Sequence, residues 1–115
     1  MSEIWKDIYG FEGKYQISNK GNVKSLKGTH GEYREKILKL QKSEKNYLFV
    51  FLYKNGNPKK YWIHKLVANA FIPNPKNLYL VGYKDGNTLN NNVDNLEWFF
   101  TYKTDYANKE VENNG

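Results

Sequence analysis

At 115 residues the chain can form one domain, or two very small ones sharing a core, and its net charge of +6 makes an anionic partner the first to consider. The absence of cysteine excludes disulfides and thiolate metal sites, and the two histidines, His30 and His64, are too few for a zinc site without several carboxylates. No run approaches the ~20 apolar residues a membrane span needs. Nothing in the opening residues reads as a signal peptide, so a cytoplasmic location is the default.

Hydrophobic content is only 39%, but ten Tyr, six Phe and three Trp supply large apolar surfaces, enough to bury a core. The charge is unevenly spread. Residues 1–65 carry fourteen Lys and Arg against six Asp and Glu, whereas residues 66–115 carry four against six. A net charge of this size alone says little beyond solubility. Its segregation into one half points to an anion-binding surface there.

In chain order, Gly10 and Gly13 punctuate a first turn. Tyr15 and Ile17 then alternate as a strand, Asn19-Lys20-Gly21 turns, and Val23-Lys24-Ser25-Leu26 forms the returning strand. Trp5, the Gly10-Phe11-Glu12-Gly13 turn and the Ser18-Asn19-Lys20-Gly21 hairpin together resemble the modular DNA-binding motif of the NUMOD type found beside HNH nuclease domains, with Tyr9 standing where the family usually has proline. Lys14, Lys20, Lys24 and Lys27 lie on or beside this hairpin, where they can meet phosphates. The plainer reading is that they are ordinary solvated lysines and that Trp5 plugs the core. Residues 28–35 have no periodicity and read as a surface loop, in which His30 has no companion ligand.

Lys36 to Leu40 opens a strand, and Tyr47 to Tyr53 is the clearest strand in the chain. Its odd positions place Tyr47, Phe49, Phe51 and Tyr53 on one face, and its even positions place Leu48, Val50 and Leu52 on the other. Asn55-Gly56 is a strong two-residue hairpin signal, with Lys59 to Ile63 returning. Lys54, Lys59 and Lys60 cluster at this tip, so the aromatic face beside them is a candidate stacking platform for bases. A strand apolar on both faces is more often buried on both, which leaves Tyr47 and Tyr53 as the expected exposed pair. His64 to Phe71 has helical apolar spacing at Leu66, Val67, Ala70 and Phe71, and Pro73 and Pro75 stop it. A lone histidine at a helix start, His64, reads as structural.

The stretch from Val81 to Trp98 reads as a short strand, an Asp85-Gly86 turn, an asparagine-rich loop and a second strand at Leu96 and Trp98. Thr101 and Asp105 are available to start a closing helix. This stretch resembles the ββα-metal motif of HNH endonucleases, in the form carried by phage homing endonucleases. There it begins Val-Asn-His-x-Asp-Gly-Asn and ends Asn-Leu-Glu-Trp. Here Gly82-Tyr83 replaces Asn-His, while Asp85, Gly86, Asn87, Asn95, Leu96 and Trp98 are kept.

Such a nuclease needs a histidine base, one divalent metal on hard ligands, and an asparagine that orients the histidine. The resemblance puts the base at Tyr83, a residue of pKa ~10 that stays protonated at neutral pH. It puts metal-ligand positions at Gly82, which has no side-chain oxygen, and at Thr104, a weaker ligand, and the orienting residue at Asn95. Asp85, Asp94, Asp105 and Asn108 are the residues left from which to rebuild a metal site. The fold expected is small α+β: antiparallel hairpins, a short helix and a degenerate ββα unit, with residues 1–35 as the NUMOD-like motif and 36–115 as the HNH-like region of one compact unit.

The resemblance implies a phage or mobile-element origin, and three functions stay open. The first is a non-catalytic binder of DNA or RNA, with Lys14, Lys20, Lys24, Lys54, Lys59 and Lys60 on phosphates and tyrosines such as Tyr47 and Tyr53 on bases. The second is a counter-defence protein that sequesters a nucleotide signal through Tyr83, Lys84 and nearby asparagines, or blocks a host defence protein. The third is a nuclease with a rearranged site, which alone would need magnesium or manganese. No membrane partner is expected, and a dimer through the aromatic strand is open.

Overall fold

Alternation builds the first sheet. In a computed structural model describing residues 2–26, 28 and 34–99, strands β1 (Trp5–Asp7), β2 (Tyr15–Ser18), β3 (Val23–Ser25) and β4 (Lys36–Ile37) pair antiparallel in chain order. Tyr15 and Ile17 face inward opposite Ser25 and Val23, all of them buried, while Gln16 opposes Lys24 on the outer face. Strand β1 was not anticipated, and it overturns the reading of Trp5 as a core plug. On this edge strand Trp5 is only half-buried, and its ring lies under Lys24 Nζ at 4.4 Å.

The single strand expected over 36–40 is divided. Strand β4 stays with the first sheet, and β5 (Gln41–Lys42) pairs with β6 (Leu48–Lys54) in a second sheet completed by β7 (Asn57–Trp62). Leu38 and Leu40, at the crossing between sheets, pack against the core. Asn55 and Gly56 take φ of 53° and 80°, the double positive-φ geometry of a tight hairpin turn whose twist matches the flanking strands. The even face of β6 is core, with Leu52 fully buried. On the odd face Tyr53 is exposed as expected, at 41%, while Tyr47 is only partly exposed. Phe51, expected to be buried, is 39% exposed because no layer of the described residues covers it, and Phe49 is buried among other rings.

Helix α1 (Ile63–Phe71) is the hub, packing on both hairpins and on the pair β8 (Leu80–Tyr83) and β9 (Leu96–Phe99). Ile63, Val67 and Ala68 have no exposed surface. Ile72 turns extended and Pro73 cannot continue the helix. Trp98 Nε1 donates to the Ile72 carbonyl at 3.1 Å, fastening β9 to the helix end. The architecture is α+β. The closing helix expected after β9 lies outside the described residues, as do Lys27, His30, Thr104, Asp105 and Asn108.

The two sequence motifs interlock at the β2–β3 turn. The Asn19 side chain accepts from the Ile4 amide at 2.9 Å and donates to the Ser2 carbonyl at 3.2 Å, and its own carbonyl accepts from the Val93 amide at 2.9 Å. Gly21, at φ +86°, sits so close to Asn91 that an added Cβ would fall 2.9 Å from the Asn91 Cβ. The N-terminal hairpin thus seats the polar loop between β8 and β9.

Candidate nucleic-acid interface and the altered nuclease site

The asparagine-rich loop folds by a repeated local device. The side chains of Asp85, Asn87, Asn90 and Asn92 each accept from the amide two residues ahead, at 2.7, 3.0, 3.3 and 3.1 Å. Short amide and carboxylate side chains form such turns readily, which accounts for the composition of the loop without any chemistry. Asp85 is held below the usual carboxylate range by hydrogen bonds from the Asn90 side chain, the Asn87 amide and the Asn95 side chain.

Asn95 closes the loop from beneath. Its Nδ2 donates to Asp85 Oδ1 at 2.9 Å and to the Asn90 carbonyl at 3.0 Å, and its Oδ1 accepts from the Asp85 amide at 3.0 Å. All of its side-chain bonds are thus spent on the loop backbone and Asp85, and none of them goes to Tyr83. The Tyr83 hydroxyl instead donates to Asn91 Oδ1 at 2.9 Å. Burial, with Tyr47 beside it, pushes the Tyr83 phenol well above its ordinary value, further from use as a base.

At Gly82 an added Cβ would lie 2.8 Å from Phe99 Cε1, so the Phe99 ring fills the space a ligand side chain would enter. Phe99 reaches it diagonally across the β8–β9 pair, where Gly82 opposes Glu97. Among the described residues, no group of three or more His, Cys, Asp or Glu is placed to hold a metal. The described residues at this position therefore do not fit a divalent ion held as in HNH enzymes.

Beside Tyr83 opens a cleft of about 1010 Å³. Tyr47, Phe49, Trp62, His64, Tyr83 and Phe99 supply its rings, and Lys42, Lys45, Lys60 and Lys65 its positive charges against the one carboxylate of Glu44. Tyr47 is the hinge of the ring cluster, with centroids 5.7 Å from His64, 6.1 Å from Tyr83 and 6.1 Å from Trp62. Lys60 Nζ lies 4.4 Å from the Phe49 centroid and 4.7 Å from that of Trp62. Burial, aided by the charge of Lys65, lowers the His64 pKa to about 4, and its Nδ1 is buried without a hydrogen-bond partner among the described residues.

The candidate binding residues divide between the sheets. Lys14 and Lys20 are exposed at the turns flanking β2. Lys24 on β3 is paired with Glu35 at 3.3 Å. Lys54 reaches back from the second hairpin to lie 5.2 Å from the Phe11 ring, and Lys59 stands 5.9 Å from the Tyr61 ring. Tyr83 and Lys84, grouped as one anion site on sequence grounds, line different surfaces. Tyr83 faces the cleft, and Lys84 lines a shallow pocket with Pro75 and Trp98. Phe49 and Phe51 belong to the aromatic face read from the sequence as a candidate stacking platform, whereas Trp62, which lines the cleft, was not singled out. The signal for Trp62 was present, since a two-residue Asn55-Gly56 turn dictates that Phe49 opposes Trp62.

An N-terminal hairpin motif seated on a helix and a ββ unit with a long Asx-turned loop is the frame of an HNH-type nuclease joined to a NUMOD-type module. The NUMOD4 motif matches residues 3–53. The chain is 42% identical over 94 residues to the DNA endonuclease I-HmuI of Bacillus phage SP01, covering 82% of this chain and 51% of that enzyme. It is also 42% identical over 98 residues to a protein named as an uncharacterized HNH endonuclease from Acanthamoeba polyphaga mimivirus, covering 85% of this chain and 27% of the relative. The solved structure described as DNA binding and cleavage by the HNH homing endonuclease I-HmuI superposes with a TM-score of 0.73 at 41% identity, over 84% of this chain and 52% of that one. The chain belongs to the phage HNH homing endonuclease family. It spans about half or less of the length of these curated relatives.

Proposed function

We propose that this protein is a DNA-binding member of the HNH homing endonuclease family whose hydrolytic centre has been dismantled. The observation that carries the reading is the Gly82-Tyr83 pair. One residue offers no ligand and is covered by Phe99, and the other is a hydrogen-bonded, proton-retaining phenol. Around that pair the loop, the NUMOD-like hairpin and the basic half of the chain are kept. Association through lysines releases counterions, so affinity for duplex DNA falls steeply with salt. Gel-shift titrations at low and moderate salt, run beside plasmid nicking with magnesium or manganese at high protein concentration, test both halves. Absence of DNA binding at low salt removes the binder, and metal-dependent nicking removes the loss of catalysis.

The second reading is a counter-defence role in the cytoplasm of an infected bacterium, with a nucleotide signal held in the cleft. The volume of about 1010 Å³ and the ring-and-lysine lining favour it. Calorimetry against a panel of cyclic and ADP-ribose nucleotides checks it, and no heat with any of them removes it.

A further inference from the structure

The outer face of the second hairpin and the cleft form one continuous feature. The register of β6 and β7 sets Phe49 opposite Trp62, Phe51 opposite Lys60 and Tyr53 opposite Pro58. All of these stand on the face turned away from Val50 and Leu52, which are buried in the core. The rings follow one another: Phe51 to Phe49 at 5.7 Å, Phe49 to Trp62 at 5.7 Å, Trp62 to Tyr47 at 6.1 Å, and Tyr47 to Tyr83 at 6.1 Å. From Tyr53 to Tyr47 the stripe runs ~20 Å along the strand. Phe51 and Tyr53 keep 39% and 41% of their surface in solvent, which costs free energy unless something covers them.

The charge around the stripe says what covers it. Between residues 41 and 65 there are six lysines and one acidic residue, Glu44. Lys60 lies over the stripe itself, against Phe49 and Trp62. A ligand with flat apolar faces strung on a polyanion satisfies both features. A duplex does not, because its bases hide their faces in the stack. A β-ribbon reading a groove relies chiefly on hydrogen-bonding side chains, and this face offers mainly rings, with one polar atom each on Tyr53 and Trp62 and none on Phe49 or Phe51.

The geometry points to an unpaired nucleic-acid strand as the ligand of this face, its bases stacking along Tyr53, Phe51, Trp62 and Tyr47 toward the cleft and its phosphates met by Lys60 and neighbouring lysines. This rests on the reading of the protein as a nucleic-acid binder and specifies the form of nucleic acid that the second hairpin takes.

The test is fluorescence anisotropy with labelled oligo(dT), oligo(U) and a mixed-sequence duplex of equal length, using the full chain and the variants Phe51→Leu and Tyr53→Leu. Leucine keeps apolar area on an exposed strand position but has no ring face, and matched thermal midpoints establish that the variants fold. Either single strand is expected to bind more tightly than the duplex, and each variant to weaken single-strand binding roughly tenfold while leaving duplex affinity within about twofold. Variants that bind the single strands like the parent, or that lose single strand and duplex in parallel, overturn the inference. Binding of duplex alone sinks this inference and leaves the proposed function standing, whereas binding of no oligonucleotide sinks both.

Discussion

The Tyr83 hydroxyl donates a 2.9 Å hydrogen bond to Oδ1 of Asn91, and Asn91 is the residue on which Gly21 of the N-terminal hairpin rests. The position that holds the general base in HNH enzymes is therefore joined, through one buried amide, to the β2–β3 turn of the NUMOD4 motif. Asn91 is 4% exposed, and its Nδ2 has no partner among the described residues. Its carbonyl oxygen is thus the satisfied half of the side chain, and Tyr83 satisfies it.

Tyr83→Phe removes that donor while keeping the ring against Tyr47 and His64. A buried amide left unpaired at both ends costs about 1–3 kcal/mol. The expected result is a drop in Tm of roughly 5–15 °C with unchanged far-ultraviolet dichroism. A midpoint within a degree of the parent would show that the hydroxyl contributes nothing to the fold.

Gly21→Ala strikes the same joint from the other side. The new methyl meets the Cβ and carbonyl oxygen of Asn91, at 2.9 and 3.2 Å, in a backbone conformation of φ +86° that alanine resists. Gly13→Ala supplies the control, since Gly13 has φ +80° and nothing within 4 Å of its Cβ. Strain alone costs Gly13→Ala roughly 1 kcal/mol, and Gly21→Ala is expected to cost about twice that or more in urea unfolding. Equal losses would mean that the hairpin and the loop do not press on each other.

Much of this was legible in the residues, and the failures have physical causes. Helix α1 and the turn at Asn55-Gly56 follow from local spacing and dihedral preference, and local rules carry over directly into structure. Trp5 misled because a large aromatic on an edge strand can be covered by one lysine as readily as by a core. Phe51 misled because an alternating apolar strand does not reveal whether a second layer exists on its far side. Asn95 was read from the family as an orienting residue, yet its side-chain bonds are spent on Asp85 and Asn90, a three-dimensional allocation that no spacing encodes. Phe99 over Gly82 was illegible because the long loop between β8 and β9 leaves their register unset until the strands pair.

Restoring the base alone is not expected to restore hydrolysis. Tyr83→His places an imidazole in the cleft but leaves Gly82 without a side-chain oxygen and the Phe99 ring against it. Plasmid nicking in magnesium or manganese should stay at background for Tyr83→His, and also for Gly82→Asn with Tyr83→His, where the Phe99 ring still occupies the space of the new side chain. Nicking by the single variant would place the missing function at residue 83 only, and would contradict the account of a site closed at two positions.

His64 gives the protein a pH dependence between about pH 6.5 and 4. Burial first, and the charge of Lys65 second, lower its pKa to about 4, against roughly 6.5 in an unfolded chain. Between those values the unfolded state takes up a proton that the folded state refuses, so stability rises with pH across the window. It is fully present above about pH 6.5 and is lost as pH falls toward 4, by at most about 3 kcal/mol. Glu3 and Asp85 are held below their ordinary carboxylate values and therefore act at more acidic pH. Urea midpoints at pH 7.5, 5.5 and 4.5 measure the effect. The parent is expected to lose stability steadily across the series, while His64→Leu, which cannot be protonated, stays nearly level down to the carboxylate range. Parallel slopes in the two proteins would show that the imidazole is charged in the folded state, and that the cleft beside Tyr83 is wetter than its ring lining implies.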